Sequence, residues 1–224
     1  MEPKCVLTFD CAHIPLPSHS LFVGASESGK TQLALFLMQS VHLFNPRPQR
    51  IIFHFDRFQA IYVEAKAQLK KLGIDMTLNK GCEGITLESV TKTPCDGQTI
   101  LFIDDFSHLT SKSLDIARIV TNGRHERISV WLAWHSLFTN HDAARLIRQN
   151  VRFLFFLPSL TLESQLAKYG DRLRKRRALL EAFQCMRADT SARYRYIVVD
   201  SGSQTPPILA IRSHIHCPIQ YCYT

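Results

Sequence analysis

The sequence has no apolar run long enough to cross a lipid bilayer. Its longest nearly apolar stretch, residues 151–160, is interrupted by Arg152 and Pro158 and falls far short of the ~20 residues that a transmembrane helix needs. The first five residues also lack the charged and then apolar pattern of a secretory leader. The sequence therefore predicts neither a membrane span nor secretion, and we expect the protein to act inside a cell.

The cysteines do not form a pattern typical of disulfides or zinc sites. The seven cysteines are scattered and include no C-x-x-C pair, so we expect them to be thiols in a reducing compartment. Four side chains of metal-ligating type lie near the C-terminus, at His214, His216, Cys217 and Cys222. Their spacing matches no standard zinc site, and the sequence predicts no metal centre there.

The composition is that of a globular chain, with 224 residues, 46% hydrophobic and 21% charged. The sequence has no internal repeat, low-complexity linker or clear domain boundary. We therefore predict a single domain over residues 1–224. Its expected parts are a core at about 18–160, a basic helical segment at 161–190 and a terminal strand pair at 191–218.

Acidic side chains are the minority, because 19 aspartates and glutamates stand against 27 lysines and arginines, which gives a net charge of +8. Residues 168–187 hold seven basic and two acidic side chains, so this one segment carries +5. A dense basic run attracts polyanions, since neutralising phosphates releases condensed counterions. The run favours nucleic acid as a partner, although a solvated helix face and a nuclear-localisation run have the same composition.

Apolar strands alternate with helical patterns along most of the chain. Strands are predicted at 21–23, 50–55, 99–103, 128–134 and 151–157, and helices from 31 to the Asn45–Pro46 pair, at 60–72 and at 114–120. Residues 77–87 match no single element because glycines interrupt them. This alternation predicts an α/β fold with a mostly parallel sheet between helices. Residues 194–199 and 208–212 are predicted to form the C-terminal strand pair.

Residues 24–31, GASESGKT, match the phosphate-loop pattern G-x-x-x-x-G-K-[ST] at every fixed position. The glycines allow the backbone to wrap a phosphate at a helix N-terminus, where N–H groups and the helix dipole favour an anion. The loop follows a strand and opens a helix, which argues against a glycine-rich turn with an incidental Lys-Thr. The predicted nucleotide-binding residues are Gly24, Ala25, Ser26, Glu27, Ser28, Gly29, Lys30, Thr31 and Gln32.

Two aspartates, Asp104 and Asp105, end the apolar strand ILFI, where ligands bind in open α/β sheets. We predict that Lys30 reaches the β- and γ-phosphates of ATP, that Thr31 ligates Mg²⁺, and that Asp104 holds the ion through its water shell. Asp105 is the candidate to polarise the attacking water. The alternative is that both aspartates begin a turn or cap a helix. A GTPase or a small-molecule kinase fits less well, since the guanine-reading motif is incomplete and paired aspartates are rare in such kinases.

Several further stretches resemble the FtsK/HerA-type DNA-packaging ATPases of double-stranded DNA viruses and virus-like transposons. The resemblance extends from about residue 18 to residue 218. It is carried, in order, by residues 50–62 (RIIFHFDRFQAIY), 121–138 (TNGRHERISVWLAWHSLF), 151–158 and 194–215. It implies a P-loop NTPase of the RecA/ASCE-like type that hydrolyses ATP with Mg²⁺ and moves duplex DNA into a capsid.

The resemblance also implies roles for single residues. In the family a polar residue, usually glutamine, follows the Ile-Ser-Val strand and senses the γ-phosphate. The matching residue here is His135, which implies a pH-dependent sensor, with a core histidine as the alternative. The family uses an arginine finger from a neighbouring subunit, for which Arg124 is the first candidate and Arg127 the second. For Arg145 and Arg148, a subunit contact and a solvated helix face are both open.

A finger supplied by a neighbour implies a homo-oligomeric ring with a central channel. Basic residues in the channel would hold DNA phosphates without reading bases. The candidates are Lys168, Arg172, Arg174, Lys175, Arg176 and Arg177. A capsid or portal component is the further expected partner, at the host nucleus or the site of virus assembly. A nucleotide-dependent assembly switch and a phosphotransferase for a small acceptor are the alternative functions.

Overall fold

The computed structural model describes residues 5–8, 13–217 and 219–224, so the segment that bears on a leader lies largely outside it. The strands are β1 (Cys5–Thr8), β2 (Ile14–Pro15), β3 (Ser20–Val23), β4 (Phe44–Asn45), β5 (Pro48–Phe55), β6 (Asp75–Lys80), β7 (Gln98–Ile103), β8 (Ile128–Trp134), β9 (Phe153–Phe156), β10 (Ile197–Asp200), β11 (Ile211–Ser213) and β12 (Ile219–Cys222). The helices are α1 (Lys30–Gln39), α2 (Ala60–Lys71), α3 (Leu87–Thr91), α4 (Ser107–Thr110), α5 (Leu114–Asn122), α6 (Asp142–Asn150), α7 (Leu162–Leu173) and α8 (Arg176–Ala188).

Ten of the described strands form one sheet, in the order β1-β12-β11-β10-β9-β3-β8-β7-β5-β6. The six strands from β9 to β6 are parallel, and the four at the other end pair antiparallel. Strands β2 and β4 form a separate parallel pair. The predicted α/β class with a mostly parallel sheet and a C-terminal strand pair, β10 and β11, is confirmed.

Helices cover both faces of the parallel strands, as the alternating pattern predicts. On one face, α1 and α2 bury apolar side chains such as Leu33, Leu37 and Leu69 against the sheet. On the other face, α5 to α8 bury residues such as Ile147 and Leu166. Both faces of the strands are therefore apolar, which explains why the sequences of β7 and β8 are unbroken rather than alternating. None of the described helices has both the length and the hydropathy to span a membrane.

Aromatic side chains of the central strands pack against one another near the edge of the sheet that carries the phosphate loop. The rings of Phe22 on β3 and Phe155 on β9 stack with their centroids 4.6 Å apart. Trp131 on β8 lies 5.4 Å from Phe22, and Phe102 on β7 meets it edge-on at 6.1 Å. All four side chains are fully buried. Because such packing is close and directional, it fixes the relative positions of the strand ends that carry the site.

The first helix is shorter than its apolar pattern predicts. It ends at Gln39, and the chain continues through a 3₁₀ turn, Val41–Leu43, into β4. Ser40 leaves helical geometry with a ψ of 64° and its hydroxyl donates to the carbonyl of Phe36. Phe44 then pairs with Ile14 of β2. The apolar residues after Gln39 are thus buried by strand pairing rather than by a continued helix.

The C-terminal region contains more structure than the predicted pair. The basic segment forms two helices, α7 and α8, that are separated at Arg174, which adopts a left-handed φ of 56°. Strand β12 follows β11 and pairs with β1, so the two ends of the chain meet in the sheet. Strand β6 includes the first part of the unassigned stretch 77–87 and pairs with β5 along its whole length.

Candidate nucleotide-binding site

The phosphate loop lies between β3 and α1, where the sequence predicts it. Gly24 has no room for a side chain, because a Cβ there would lie 2.5 Å from Ser28 Oγ and 2.9 Å from Leu157 Cβ. Gly29 has a φ of 91°, in the left-handed region that glycine adopts without strain. The backbone N–H of Gly24 also donates to the carbonyl of Trp134 at 3.1 Å. The loop is therefore shaped by its glycines and tied to β8.

Lys30 is held inside the loop. Its Nζ donates to the carbonyl oxygens of Gly24 at 3.0 Å and Ala25 at 2.7 Å, and the residue is 4% exposed. Burial lowers the pKa of Lys30, while the carboxylates of Asp105 and Asp104 act in the opposite direction. A cation with two neutral acceptors in a buried loop is well placed to exchange them for phosphate oxygens.

Thr31 and Asp104 lie together although 73 positions separate them in the chain. The Thr31 hydroxyl donates to the carboxylate of Asp104, with Oγ1 2.8 Å from Oδ1 and 2.7 Å from Oδ2. The Tyr62 hydroxyl donates to the same carboxylate at 3.2 Å. Hydroxyl and carboxylate oxygens are the ligands that Mg²⁺ prefers, with nucleotide phosphates and water completing the shell. The pair fits the predicted Mg²⁺ site.

Asp104 lies in a setting that favours a bound cation. The residue is 1% exposed, and burial raises its pKa to about 6, although the hydrogen bond from Thr31 lowers it. Burial, together with the Asp104 carboxylate, also raises the pKa of Tyr62, so this phenol stays a hydrogen-bond donor. Burying the negative charge of this carboxylate costs free energy. A divalent cation bound here would offset that cost.

We expect Asp104→Asn to stabilise the nucleotide- and metal-free protein at pH 8 by about 1–3 kcal/mol. Since the folded-state pKa lies above the ordinary value of 3.8, the folded protein binds more protons than the unfolded chain between about pH 4 and 6. Wild-type stability therefore falls as pH rises through this range, and the variant escapes that loss. Urea unfolding of both proteins in EDTA at several pH values measures the difference between their free energies of unfolding. If the difference in stability between the two proteins is already at its full size at pH 4, the raised pKa of Asp104 is contradicted.

A cavity of about 720 Å³ opens in front of these residues. Lys30, Thr31, Asp105 and His135 all line it. Asp105 is exposed and has a φ of 59°, which few non-glycine residues adopt and which is common at functional sites. The strand order explains why these residues meet, since β3, β8 and β7 are consecutive parallel strands of the sheet and all three end at this edge. The structure thus brings together the predicted lysine, threonine, both aspartates and the histidine.

Three further residues line the same cavity and were not predicted from the sequence. Asp56, Arg57 and Gln59 follow β5, the strand beyond β7. Among the described residues, Arg57 forms no ion pair, so its charge is available to a ligand. The available signal was their position directly after a predicted strand, because polar residues there reach the ligand edge of a parallel sheet.

Arg124 lies away from the nucleotide site of its own chain. It is exposed in a 3₁₀ turn, Gly123–Glu126, that precedes β8, whereas the site lies beyond the other end of this strand. The seven residues of β8 span roughly 20 Å. Burial, with the nearby charge of Arg124, lowers the pKa of His19 to about 4, which places Arg124 beside the start of β3. Arg127 lies in the same turn region.

The two arginines of α6 differ in their surroundings. Arg148 is half-buried and its Nη1 donates to the carbonyls of Leu137 at 3.1 Å and Thr139 at 3.3 Å. Arg145 is exposed, and among the described residues its side chain forms an ion pair with Asp142, one turn away, at 3.6 Å. Arg148 therefore supports a loop within its own chain, whereas Arg145 is exposed on α6.

The predicted DNA-binding side chains lie along α7 and the start of α8. Five of the six are exposed, and Lys175 is half-buried with its Nζ 3.4 Å from the carbonyl of Pro207. Arg176 pairs with Asp171 at 3.2 Å, an exposed contact that contributes little to stability. The exposed residues are Lys168, Arg172, Arg174, Arg176 and Arg177.

The C-terminal histidines have other partners. His214 Nε2 lies 3.1 Å from Asp189, and the imidazole of His216 lies 2.7 Å from the hydroxyl of Tyr196. Within the described ranges, no group of three or more His, Cys, Asp or Glu side chains is arranged to hold a metal ion. A Mg²⁺ ion at Thr31 and Asp104 would depend on the nucleotide for its remaining ligands.

The loop, the paired hydroxyl and carboxylate, and the strand order define the fold and site of a P-loop NTPase. The chain is similar to the genome packaging NTPase B204 from Sulfolobus turreted icosahedral virus 2 in complex with ATP-gammaS, with a TM-score of 0.51 and 13% identity over 84% of this chain and 94% of that one. The complex of B204 with AMPPCP gives the same TM-score and coverage at 16% identity.

A lower similarity, with a TM-score of 0.45 and 12% identity, relates the chain to the cytoplasmic domain of the type VII secretion ATPase EccC from Thermomonospora curvata, over 92% of this chain and 25% of that one. No family model and no curated protein matches the sequence. At these identities the similarity to B204 shows the fold, and it confirms at that level the resemblance to packaging ATPases.

Proposed function

We propose that this protein hydrolyses ATP with Mg²⁺ and uses the energy to move duplex DNA into a viral capsid. The observation that carries the chemistry is the contact between Thr31 and the buried Asp104 at the mouth of the phosphate loop. The similarity in fold to a viral genome packaging NTPase favours this motor over other ATPases. Proposed partners are DNA, further copies of this chain in a ring, and a capsid or portal component at the nucleus or the site of virus assembly.

The residues of the site divide the chemistry between them. Lys30 exchanges the carbonyls of Gly24 and Ala25 for phosphate oxygens, and the loop N–H groups bind the phosphate at the start of α1. Thr31 and Asp104 would hold a Mg²⁺ ion, which would supply positive charge to the phosphates. Asp105, exposed in the cavity, orients and polarises the attacking water. The reaction then depends on positioning and charge rather than on a covalent intermediate.

His135 is the candidate γ-phosphate sensor. It lies in the cavity together with Asp105, at the end of β8 and directly between the strands that carry the loop and the aspartates. An imidazole in this position can donate a hydrogen bond to a phosphate oxygen or to the attacking water.

ATP hydrolysis with and without duplex DNA tests the proposal. A DNA translocase is expected to hydrolyse ATP faster when DNA is present. An assembly switch would hydrolyse slowly and without regard to DNA, and a phosphotransferase would transfer the phosphate to a small acceptor. ATP hydrolysis that ignores DNA would falsify the translocase function.

The exposed basic residues are expected to bind DNA phosphates without sequence preference. Replacing Arg174, Lys175, Arg176 and Arg177 with alanine is expected to weaken duplex binding and to lower the slope of log affinity against log salt by about one for each lost phosphate contact. Fluorescence anisotropy at several salt concentrations measures both. The control removes four exposed lysines elsewhere, Lys66, Lys70, Lys71 and Lys92. Equal effects of the two variants would show that net charge, not this segment, binds DNA.

Arg124 is proposed to complete the site of a neighbouring subunit, since its own site lies at the other end of β8. When Arg124→Ala chains are mixed with wild-type chains, each variant subunit is expected to inactivate the site of its neighbour. The ATPase activity of the mixture then falls more steeply than the fraction of wild-type chains. A finger of this kind contributes about 10³-fold or more to turnover. Arg127→Ala tests the second candidate in the same way, and Arg118→Ala, an exposed arginine of α5, is the control. Simple dilution of activity by the Arg124 variant would contradict the role.

A further inference from the structure

The loop that follows β8, residues 135–141, connects the nucleotide cavity to helix α7. At its start, His135 lines the cavity. Two residues later, the backbone N–H of Leu137 donates to Gln165 Oε1 of α7 at 2.9 Å. Gln165 is 6% exposed, and its Nε2 donates to Thr161 Oγ1 at 3.0 Å, which fixes the orientation of the amide. A side chain of α7 thus satisfies a buried donor of the β8 loop.

The next loop residue contacts the basic face of the same helix. Phe138 is half-buried, and its ring centroid lies 4.4 Å from Lys168 Nζ and 5.1 Å from Arg172 Cζ. Lys168 and Arg172 are one turn apart on α7, so both cations lie over one ring. Two of the residues proposed to contact DNA therefore rest on the loop that begins at the nucleotide cavity.

Helix α6 holds the loop from the other direction. Arg148 donates to the carbonyl of Leu137, whose N–H is bound by Gln165. The same guanidinium reaches Thr139. Both backbone groups of Leu137 are therefore bonded to neighbouring helices, the N–H to Gln165 of α7 and the carbonyl to Arg148 of α6.

We infer that Gln165 and Phe138 couple the DNA-binding surface to the nucleotide site. The inference rests on the proposed function. A DNA phosphate competes with the Phe138 ring for Lys168 and Arg172, and the resulting shift of α7 moves the backbone of Leu137 and with it His135. Gln165 is a positioning residue, since it acts on the cavity through the loop. By linkage, nucleotide binding changes the contacts of Lys168 and Arg172 with DNA in return.

The test compares two substitutions of Gln165 in the full chain. Gln165→Leu keeps the size of the side chain and removes the acceptor for Leu137, whereas Gln165→Glu retains an acceptor oxygen. The ratio of ATP hydrolysis with duplex DNA to hydrolysis without it is measured, together with the dissociation constant for the same DNA. We expect Gln165→Leu to lower the ratio about 5-fold or more without a change in DNA affinity, and Gln165→Glu to keep most of it. Gln68→Leu, an exposed position on α2, is the control.

The stimulation of ATP hydrolysis by DNA in these variants either supports or overturns the coupling. Loss of stimulation in Gln165→Leu with rescue by Gln165→Glu supports the coupling. Equal stimulation of wild type and a folded Gln165→Leu overturns it while the proposed function stands. No stimulation of wild type overturns the proposed function and the coupling with it. If Gln165→Leu does not fold, Phe138→Leu decides instead, since it removes the ring under Lys168 and Arg172 without exposing a backbone donor; unchanged stimulation there overturns the coupling.

Discussion

Lys30→Ala is expected to reduce ATP hydrolysis by about 10²-fold or more, because no other described cation lies inside the phosphate loop. The loss should appear both with and without DNA, and ATP affinity should fall with it. Steady-state phosphate release and nucleotide-binding titrations measure the two effects. Since the Lys30 ammonium bonds, among the described residues, to two loop carbonyls alone, we expect the variant to keep its fold, which a thermal melt checks.

Lys66→Ala is the matched control for this variant, because it removes an exposed lysine from α2. It should retain full activity. Hydrolysis that survives the loss of Lys30 would mean that the glycine loop is not the ATP site.

Asp105→Asn is expected to lower turnover by about 10²–10⁴-fold while ATP still binds. The amide keeps the shape of the side chain and loses the charge that polarises the attacking water. Because Asn tolerates the left-handed backbone that Asp105 adopts, the variant should not strain the turn. Single-turnover hydrolysis and binding of a non-hydrolysable ATP analogue separate the chemical step from binding.

Asp56→Asn provides a sharp comparison, since Asp56 lines the same cavity from the end of β5, the strand that pairs with β7. We expect it to retain most of the activity. A greater loss in Asp56→Asn than in Asp105→Asn would assign the water-polarising carboxylate to the end of β5. The two variants therefore decide between neighbouring carboxylates that the cavity brings together.

The phosphate loop and its aspartates could be predicted because their signals are local. The spacing of Gly24, Gly29, Lys30 and Thr31 fixes a turn and a helix N-terminus with no help from distant residues. The position of Asp104 at the end of an apolar strand indicates the ligand edge of the sheet. That Thr31 and Asp104 lie within hydrogen-bonding distance follows only once β3, β8 and β7 lie side by side.

For other residues the local signal is too general to assign a role. Nothing in the spacing of Asp56 and Arg57 marks them, and their place in the cavity depends on β5 lying next to β7. Arg145 and Arg148 occupy equivalent positions in the helical pattern, yet only Arg148 is bonded to the β8 loop. The pairing of β1 with β12 joins the two ends of the chain, where periodicity gives no information on partners.

Sequence reasoning could reach the α/β class, the phosphate loop and the excess of positive charge at residues 168–187, because composition, periodicity and short motifs are properties of neighbouring residues. The set of side chains that share the cavity, and the bond between the basic helix α7 and the loop of His135, became visible in the folded chain alone. Such contacts depend on strand order and helix packing, which join residues far apart in the chain and are set by the burial of the whole core.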